Sequence, residues 1–276
     1  MRKLKAHIHS RKGPPLIQPY LDILKLLGKE DLRTTRSLLY TVAPAVALGS
    51  TLMLAMLIPM GAAPPLGFSG DIVVILYISA ICGVMMMLTG YASSSPYASI
   101  GSSREMMMTL TVEPVLVLAL VVGALKAGTL ATGGIAAWQL GNGPSLSMGM
   151  AAIALFLTIQ AQAGKLPFDI AEAEQEIMGG FLIEQSGPRL ALFRWAIWVK
   201  QLVFSFLLVE VFIPWPHTGI YAADLLLAAI KVLVVLVLVA LVDVVNPRLR
   251  IDQAMGYFMR IGLFAVAALV FAILGT

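Results

Sequence analysis

Residues 225–242 read LLLAAIKVLVVLVLVALV. One charge, Lys231, interrupts eighteen otherwise apolar positions, and neither Gly nor Pro breaks the run. A helix needs roughly 20 mostly apolar residues to cross the ~30 Å hydrocarbon core of a bilayer. With its flanks, 221–245, this run has that length. Working outward, comparable stretches lie at 38–60, 70–90, 112–130, 149–163, 191–213 and 257–275. The fourth is short before Gly164-Lys165-Leu166-Pro167 and can borrow residues 145–148. The expectation is an all-α membrane protein, a bundle of about seven transmembrane helices. Composition agrees: 59% of residues are hydrophobic and 12% charged, against about 25% charged in soluble domains.

Basic residues set an orientation. Nine precede the first span: Arg2, Lys3, Lys5, Arg11, Lys12, Lys25, Lys29, Arg33 and Arg36. Loop 91–111 carries Arg104. Loop 164–190 carries Lys165 and Arg189, with Arg194 just beyond, and loop 246–256 carries Arg248 and Arg250. Loops 61–69, 131–148 and 214–220 have neither Lys nor Arg. Cytoplasmic loops hold the excess of Lys and Arg, so the N-terminus is expected in the cytoplasm of a multi-pass protein of the cell membrane. The alternation also supports the helix count. The chain divides into a basic interfacial segment, 1–37, and one transmembrane domain, 38–276, with its acidic loop at 164–190. No short apolar region with a small-residue cleavage site follows the basic start, so it does not read as a signal peptide. Leu16 to Leu27 reads instead as an amphipathic helix at the membrane surface, a lipid anchor or a docking surface.

Cys82 is the single cysteine and sits in an apolar run. That excludes an intrachain disulfide and any Cys-cluster metal site. His7, His9 and His217 are too scattered for a metal centre. Charge inside a bilayer is costly and points to function. Glu210 and Lys200 lie in span 191–213. Lys126 and Asp243 lie near span ends, where long side chains reach headgroups. Glu113, before Pro114, reads either as a first-turn carboxylate facing the helix dipole or as an intramembrane charge. Lys231 is too deep to reach the surface easily.

Residues 164–176, GKLPFDIAEAEQE, place Asp169, Glu172, Glu174 and Glu176 within eight positions. The Ala-rich part from Ile170 is expected to be helical, with Glu172 and Glu176 four apart on one face. Carboxylates that close raise one another's pKa, more so when partly buried. Such a cluster could hold and pass protons, or could simply face water.

The stretch Pro167 to Glu176 resembles the acidic-loop signature of the NADH dehydrogenase subunit 1 family. That is the membrane subunit at the junction of respiratory complex I, shared with membrane-bound NiFe hydrogenases. Three further stretches resemble the family in the same order. They are Arg11 to Asp22 with Leu24 to Glu30; Gly90 to Ser93 with Ser95 to Ala98, Arg104 and Glu113; and Pro247 to Gln253. Members usually begin with one more helix, so the seven spans are expected to correspond to the second through eighth of an eight-helix fold, the first missing here through either a late start of the sequence or loss of the helix. The compact Gly13-Pro14-Pro15-Leu16-Ile17-Gln18-Pro19 resembles the branch of formate hydrogenlyase and energy-converting (group 4) hydrogenases.

The resemblance implies a non-redox membrane subunit of an oxidoreductase complex. It would anchor a soluble redox arm and couple electron transfer to movement of H⁺ or Na⁺. Ion coupling is expected at Asp169, Glu172, Glu174, Glu176, Glu113, Glu210 and Lys231. Arm docking or loop positioning is expected at Arg11, Gln18, Asp22, Lys25, Arg104, Arg248, Arg250 and Asp252. No catalytic or metal-ligating residue and no cofactor is expected in this chain. NiFe and iron–sulfur centres would sit in partners: hydrogenase-like large and small subunits and an iron–sulfur subunit, with antiporter-like membrane subunits and the lipid bilayer alongside. Nucleic acid is not a partner. Two alternatives stay open. A quinone-site subunit of an NADH-quinone oxidoreductase is disfavoured by the compact Gly-Pro-Pro element. A stand-alone ion transporter is disfavoured by the lack of an internal repeat.

Overall fold

The computed structural model describes residues 2–61, 64–67 and 71–275, and leaves the side chain of Glu174 outside the described ones. Two short helices, α1 (Arg2–Ile8) and α2 (Gln18–Leu27), precede the bundle. Then come α3 (Leu38–Leu57), α4 (Ile72–Ala92), α5 (Pro96–Ala127), α6 (Thr132–Asn142) and α7 (Leu146–Gln162). After a loop with one short turn of helix, α8 (Glu174–Ile177), follow α9 (Gly187–Phe212), α10 (Tyr221–Val245) and α11 (Ile251–Ile273). Six of these helices are long and apolar enough to cross a membrane, and α7 is a shorter apolar one. The chain is an all-α membrane protein.

Helices α5 and α9 form the spine. α5 packs against α4, α6, α7 and α11, and α9 against α2, α3, α6, α7 and α10. The core runs between them through Leu116, Leu120, Leu155, Phe204, Leu207 and Phe258. α10 lies at the edge. It turns Ala228, Val232, Val235 and Val239 inward, one helical stripe, and leaves Leu226, Leu233 and Leu238 exposed. An apolar outer face suits a helix whose solvent is lipid.

Two expectations are corrected. α5 starts at Pro96 rather than 112, and its 32 residues reach about 48 Å. Residues 96–111 are too polar to read as a span. They are helical because Pro96 starts a helix well at its first turn and the acidic loop covers their polar face. Glu113 therefore lies mid-helix and is no first-turn carboxylate. In the loop 131–148, α6 forms against α5 and α9, unannounced by any apolar run.

Candidate functional site

The loop 163–186 folds back over one end of the bundle. Gly164 turns the chain with φ +56° after α7. The Leu166 amide then donates to Asp243 on α10 at 3.1 Å, and the Pro167 carbonyl accepts from Leu249 at 3.1 Å. Phe168 is buried against Tyr257 and Phe258 of α11, with ring centroids 5.4 and 4.7 Å away. Aromatic pairs of this kind add about 0.5–1.5 kcal/mol each. Asp169 is gripped by Arg248 at 2.6 Å. Residues 170–173 are not helical, contrary to the expectation: the chain bends at Ala171 and Glu172, and Ile170, Ala171 and Ala173 are buried. Consequently Glu172 and Glu176 do not share a face.

Their environments are opposite. Glu176 is exposed and pairs with Arg104 of α5 at 2.5 Å; Arg104 also donates to the Ile170 carbonyl at 3.5 Å. The hydrogen bond from Arg104 holds the Glu176 carboxyl below the usual carboxylate range. Glu172 points inward. Burial, reinforced by Asp169, pushes its carboxyl up to about 7, against the opposing charge of Lys165.

Glu172 lines two spaces at once. The inner one is a cavity of about 40 Å³ lined by Met86, Met108, Phe168 and Phe181, and by Glu105 of α5. That volume accommodates roughly one to three waters. The outer one is a groove of about 550 Å³ lined by Arg2, Lys165, Arg194 and Trp198. Both amide atoms of Gln185, which also lines this groove, are buried without a protein hydrogen-bond partner. A glycine contact sets the loop's height: a Cβ on Gly101 of α5 would come within 2.6 Å of the Gly180 Cα.

Beyond the cavity, Glu113 lies half-buried about 12 Å further along α5 than Glu105. Lys200 of α9 is buried and interacts electrostatically with both. Gln160 of α7 is wholly buried, and neither its amide nitrogen nor its oxygen meets a protein partner. Ser205 donates to the Gln201 carbonyl one turn back, deeper in α9.

The remaining expected residues are spread out. Glu210 stands at the opposite end of α9, where its carboxylate accepts from the Gly61 amide at 3.0 Å. Lys231 turns its amine to the carbonyls of Ile213, Pro214 and Pro216, at 3.2, 2.8 and 3.5 Å. Gln18 donates to Asp22 at 2.9 Å and Arg2 pairs with Asp22 at 2.8 Å; these bonds, Gln18 first, hold the Asp22 carboxyl below its ordinary range. Lys25, Arg250 and Asp252 are exposed, and the Arg250 amide donates to Gln253 at the start of α11. Arg11 faces a groove beside α10. Glu105 was not among the expected residues. Its signal was present: had residues 96–111 been read as helix from Pro96, Glu105 would have become a charge inside a long apolar helix. Among the described residues, no three His, Cys, Asp or Glu side chains gather as metal ligands.

This architecture defines a class, an all-α membrane protein with ionisable side chains leading inward from a folded acidic loop. The NADH dehydrogenase family model matches residues 1–274, and the chain belongs to that family, that of complex I subunit 1. It is 36% identical to formate hydrogenlyase subunit 4 of Escherichia coli (strain K12), over 91% of this chain and 85% of that one. It is 32% identical to NADH-ubiquinone oxidoreductase chain 1 of Myrmecophaga tridactyla, over 92% and 82%. A solved archaeal respiratory membrane complex, the membrane-bound sulfane sulfur reductase, contains a chain with 31% identity and a TM-score of 0.90, covering 98% of this chain and 91% of that one.

Proposed function

We propose that this chain is the membrane-anchoring, ion-coupling subunit of a complex I-related, membrane-bound oxidoreductase of the NiFe hydrogenase type. Its likeness to formate hydrogenlyase subunit 4 supports the branch. The observation that carries the coupling role is Glu172, which lines both a basic outer groove and a small inner cavity shared with Glu105.

In this reading the loop end of the bundle faces the cytoplasm, as its Lys and Arg content favours, and a redox arm sits over it. Glu172, titrating at about 7, exchanges its proton readily at cytoplasmic pH. Water in the inner cavity carries the proton to Glu105, and Glu113 beside Lys200 receives it next. Gln160, a buried amide without a protein partner, calls for hydration close to this route. Glu210 would close the path at the far end, while Lys231 ties down the connection after α9 through the Ile213, Pro214 and Pro216 carbonyls. Asp169 and Glu176, each held by an arginine, fix the loop and do not carry protons; Glu174 stays a candidate carrier. Redox centres, NiFe and iron–sulfur, belong to the partner subunits, because one buried cysteine cannot hold a cluster. Antiporter-like subunits would continue ion transfer.

A second reading, a quinone site, is favoured by the outer groove alone. Its volume falls in the range of small-molecule pockets, and it combines Trp198 and Leu190 with Arg194 and Gln185. Optical or mass-spectrometric analysis of extracted cofactors distinguishes the two.

The test of the coupling role uses the purified complex in proteoliposomes. Glu105→Gln should leave assembly and electron transfer to an artificial acceptor intact while proton movement per electron falls at least about tenfold. Unchanged proton movement would remove the inner cavity from the path.

A further inference from the structure

Next to the point where the acidic loop is tied to Asp243, α1 docks on α10. Lys5 pairs with Asp243 at 3.1 Å, and Arg2 reaches Asp22 on α2. After α1 the chain doubles back, and Gly13 makes the return close: a Cβ there would lie 2.9 Å from the Ala6 Cβ and 3.0 Å from the Lys3 Cα. That closeness brings Arg11 and Lys12 beside Lys3. Below them a groove of about 850 Å³ opens against α10, walled by Leu233, Leu236 and Val237. Lys3, Arg11 and Lys12 pair with no carboxylate among the described residues, whereas Lys5 and Arg2 are committed to theirs.

We infer that this groove binds one anionic phospholipid of the bilayer, its phosphate on Lys3, Arg11 and Lys12 and an acyl chain along α10. The charge is complementary: a cluster of cations without acidic partners stands at the headgroup level of a membrane protein. The apolar wall is complementary too, because Leu233 is 61% exposed on the outer face of the edge helix. From Ala240 to Leu233 the wall runs about 10 Å along the helix axis, which suits the part of an acyl chain nearest the headgroup. A soluble anion would use the cations and make no contact with this wall.

The experiment is native mass spectrometry of the intact purified complex, delipidated in mild detergent and offered phosphatidylglycerol or phosphatidylcholine. One phosphatidylglycerol per copy of the chain should survive desolvation, and phosphatidylcholine should not. The double variant Arg11→Gln/Lys12→Gln should lower retention by about tenfold or more, having lost two charges at the headgroup. Val237→Trp, which fills the groove and leaves the cations in place, should lower it equally. Lys29→Gln, outside the groove, should not. Equal retention of both lipids, or retention unchanged in both groove variants, would overturn the proposal. So would a photocrosslinker at Leu233 that captures a helix of another subunit instead of lipid.

Discussion

Glu172 shows how one loop residue can be tuned by its address. Its ordinary carboxyl value is 4.5, and the fold lifts it to about 7. The folded state therefore binds this proton more tightly than the unfolded chain. Linkage then gives the sign: the group costs no stability below about pH 4.5, an increasing amount between 4.5 and 7, and a constant amount above. Glu172→Gln removes the charge and keeps the shape. Thermal melting of the purified protein should thus rise for Glu172→Gln relative to wild type at pH 8 and match it at pH 4.5, while proton coupling falls. Equal melting at both pH values would mean that Glu172 is solvated. Glu176→Gln should behave oppositely, because Arg104 holds the Glu176 carboxyl below its ordinary range. The pair's small contribution is present above about pH 4.5 and lost in acid, so the variant should melt slightly below wild type at pH 8 and converge with it as the pH falls below about 4.5. Lys231 presents a third kind of residue. Its amine closes the carbonyls of Ile213, Pro214 and Pro216 in the non-helical connection just after α9, which have no intrahelical donors. Lys231→Met should destabilise by about 1–3 kcal/mol, and Lys231→Arg should restore most of that. Loss of ion movement with an unchanged melting temperature would instead return Lys231 to the translocation path.

At the scale of elements, the acidic loop is held by close backbone approach as much as by ion pairs. Gly101 meets Gly180 backbone to backbone, so a side chain at 101 has no flexible neighbour to displace. Gly101→Val should lift the loop off α5, cost about 1–3 kcal/mol and weaken coupling, with little change in membrane insertion. Protease sensitivity of 170–185 checks this directly. The same elements mark how far the sequence could be read. Apolar length alone located the spans, because hydrocarbon thickness fixes how long they must be; α7, short by that measure, begins at Leu146 among the residues it was expected to borrow. Residues 96–111 were read as loop, since their helicity depends on a partner surface that folds over them from 70 residues away. The run from Ile170 to Ala173 has helix-forming composition but is held in a bent, non-helical course in which Phe168, Ile170 and Ala171 are buried, a tertiary override of local propensity. Asp169, Glu172 and Glu176 were legible as a charge cluster. Which of them is paired and which is buried was not, because Arg248 and Arg104 come from distant helices.

At the scale of the whole molecule, the two ends of the bundle differ in charge, and the fold ties each end together. At one end, Tyr40 donates to the Glu184 carbonyl, Ser186 exchanges hydrogen bonds with Leu32, and Leu249 donates to Pro167. This end gathers the basic segments around α1, α2, Arg104, Lys165, Arg189 and Arg248. At the other end, Gly61 donates to Glu210 and Ile72 to the Leu130 carbonyl, and the connections 131–145 and 214–220 contain no Lys or Arg. The excess of Lys and Arg at that end underlies the proposal that it faces the cytoplasm. The lone native cysteine, Cys82, is buried, so single-cysteine labelling with a membrane-impermeant maleimide has little background. Gln175→Cys and Asn246→Cys, both exposed at the basic end, should label in inverted vesicles and stay protected in right-side-out ones. Asn142→Cys, exposed at the end of α6, should show the reverse. Labelling of positions 142 and 246 from the same side would break the two-ended fold. A clean exchange of sides would keep the fold but place the acidic loop outside the cell, where no cytoplasmic redox arm could reach Glu172.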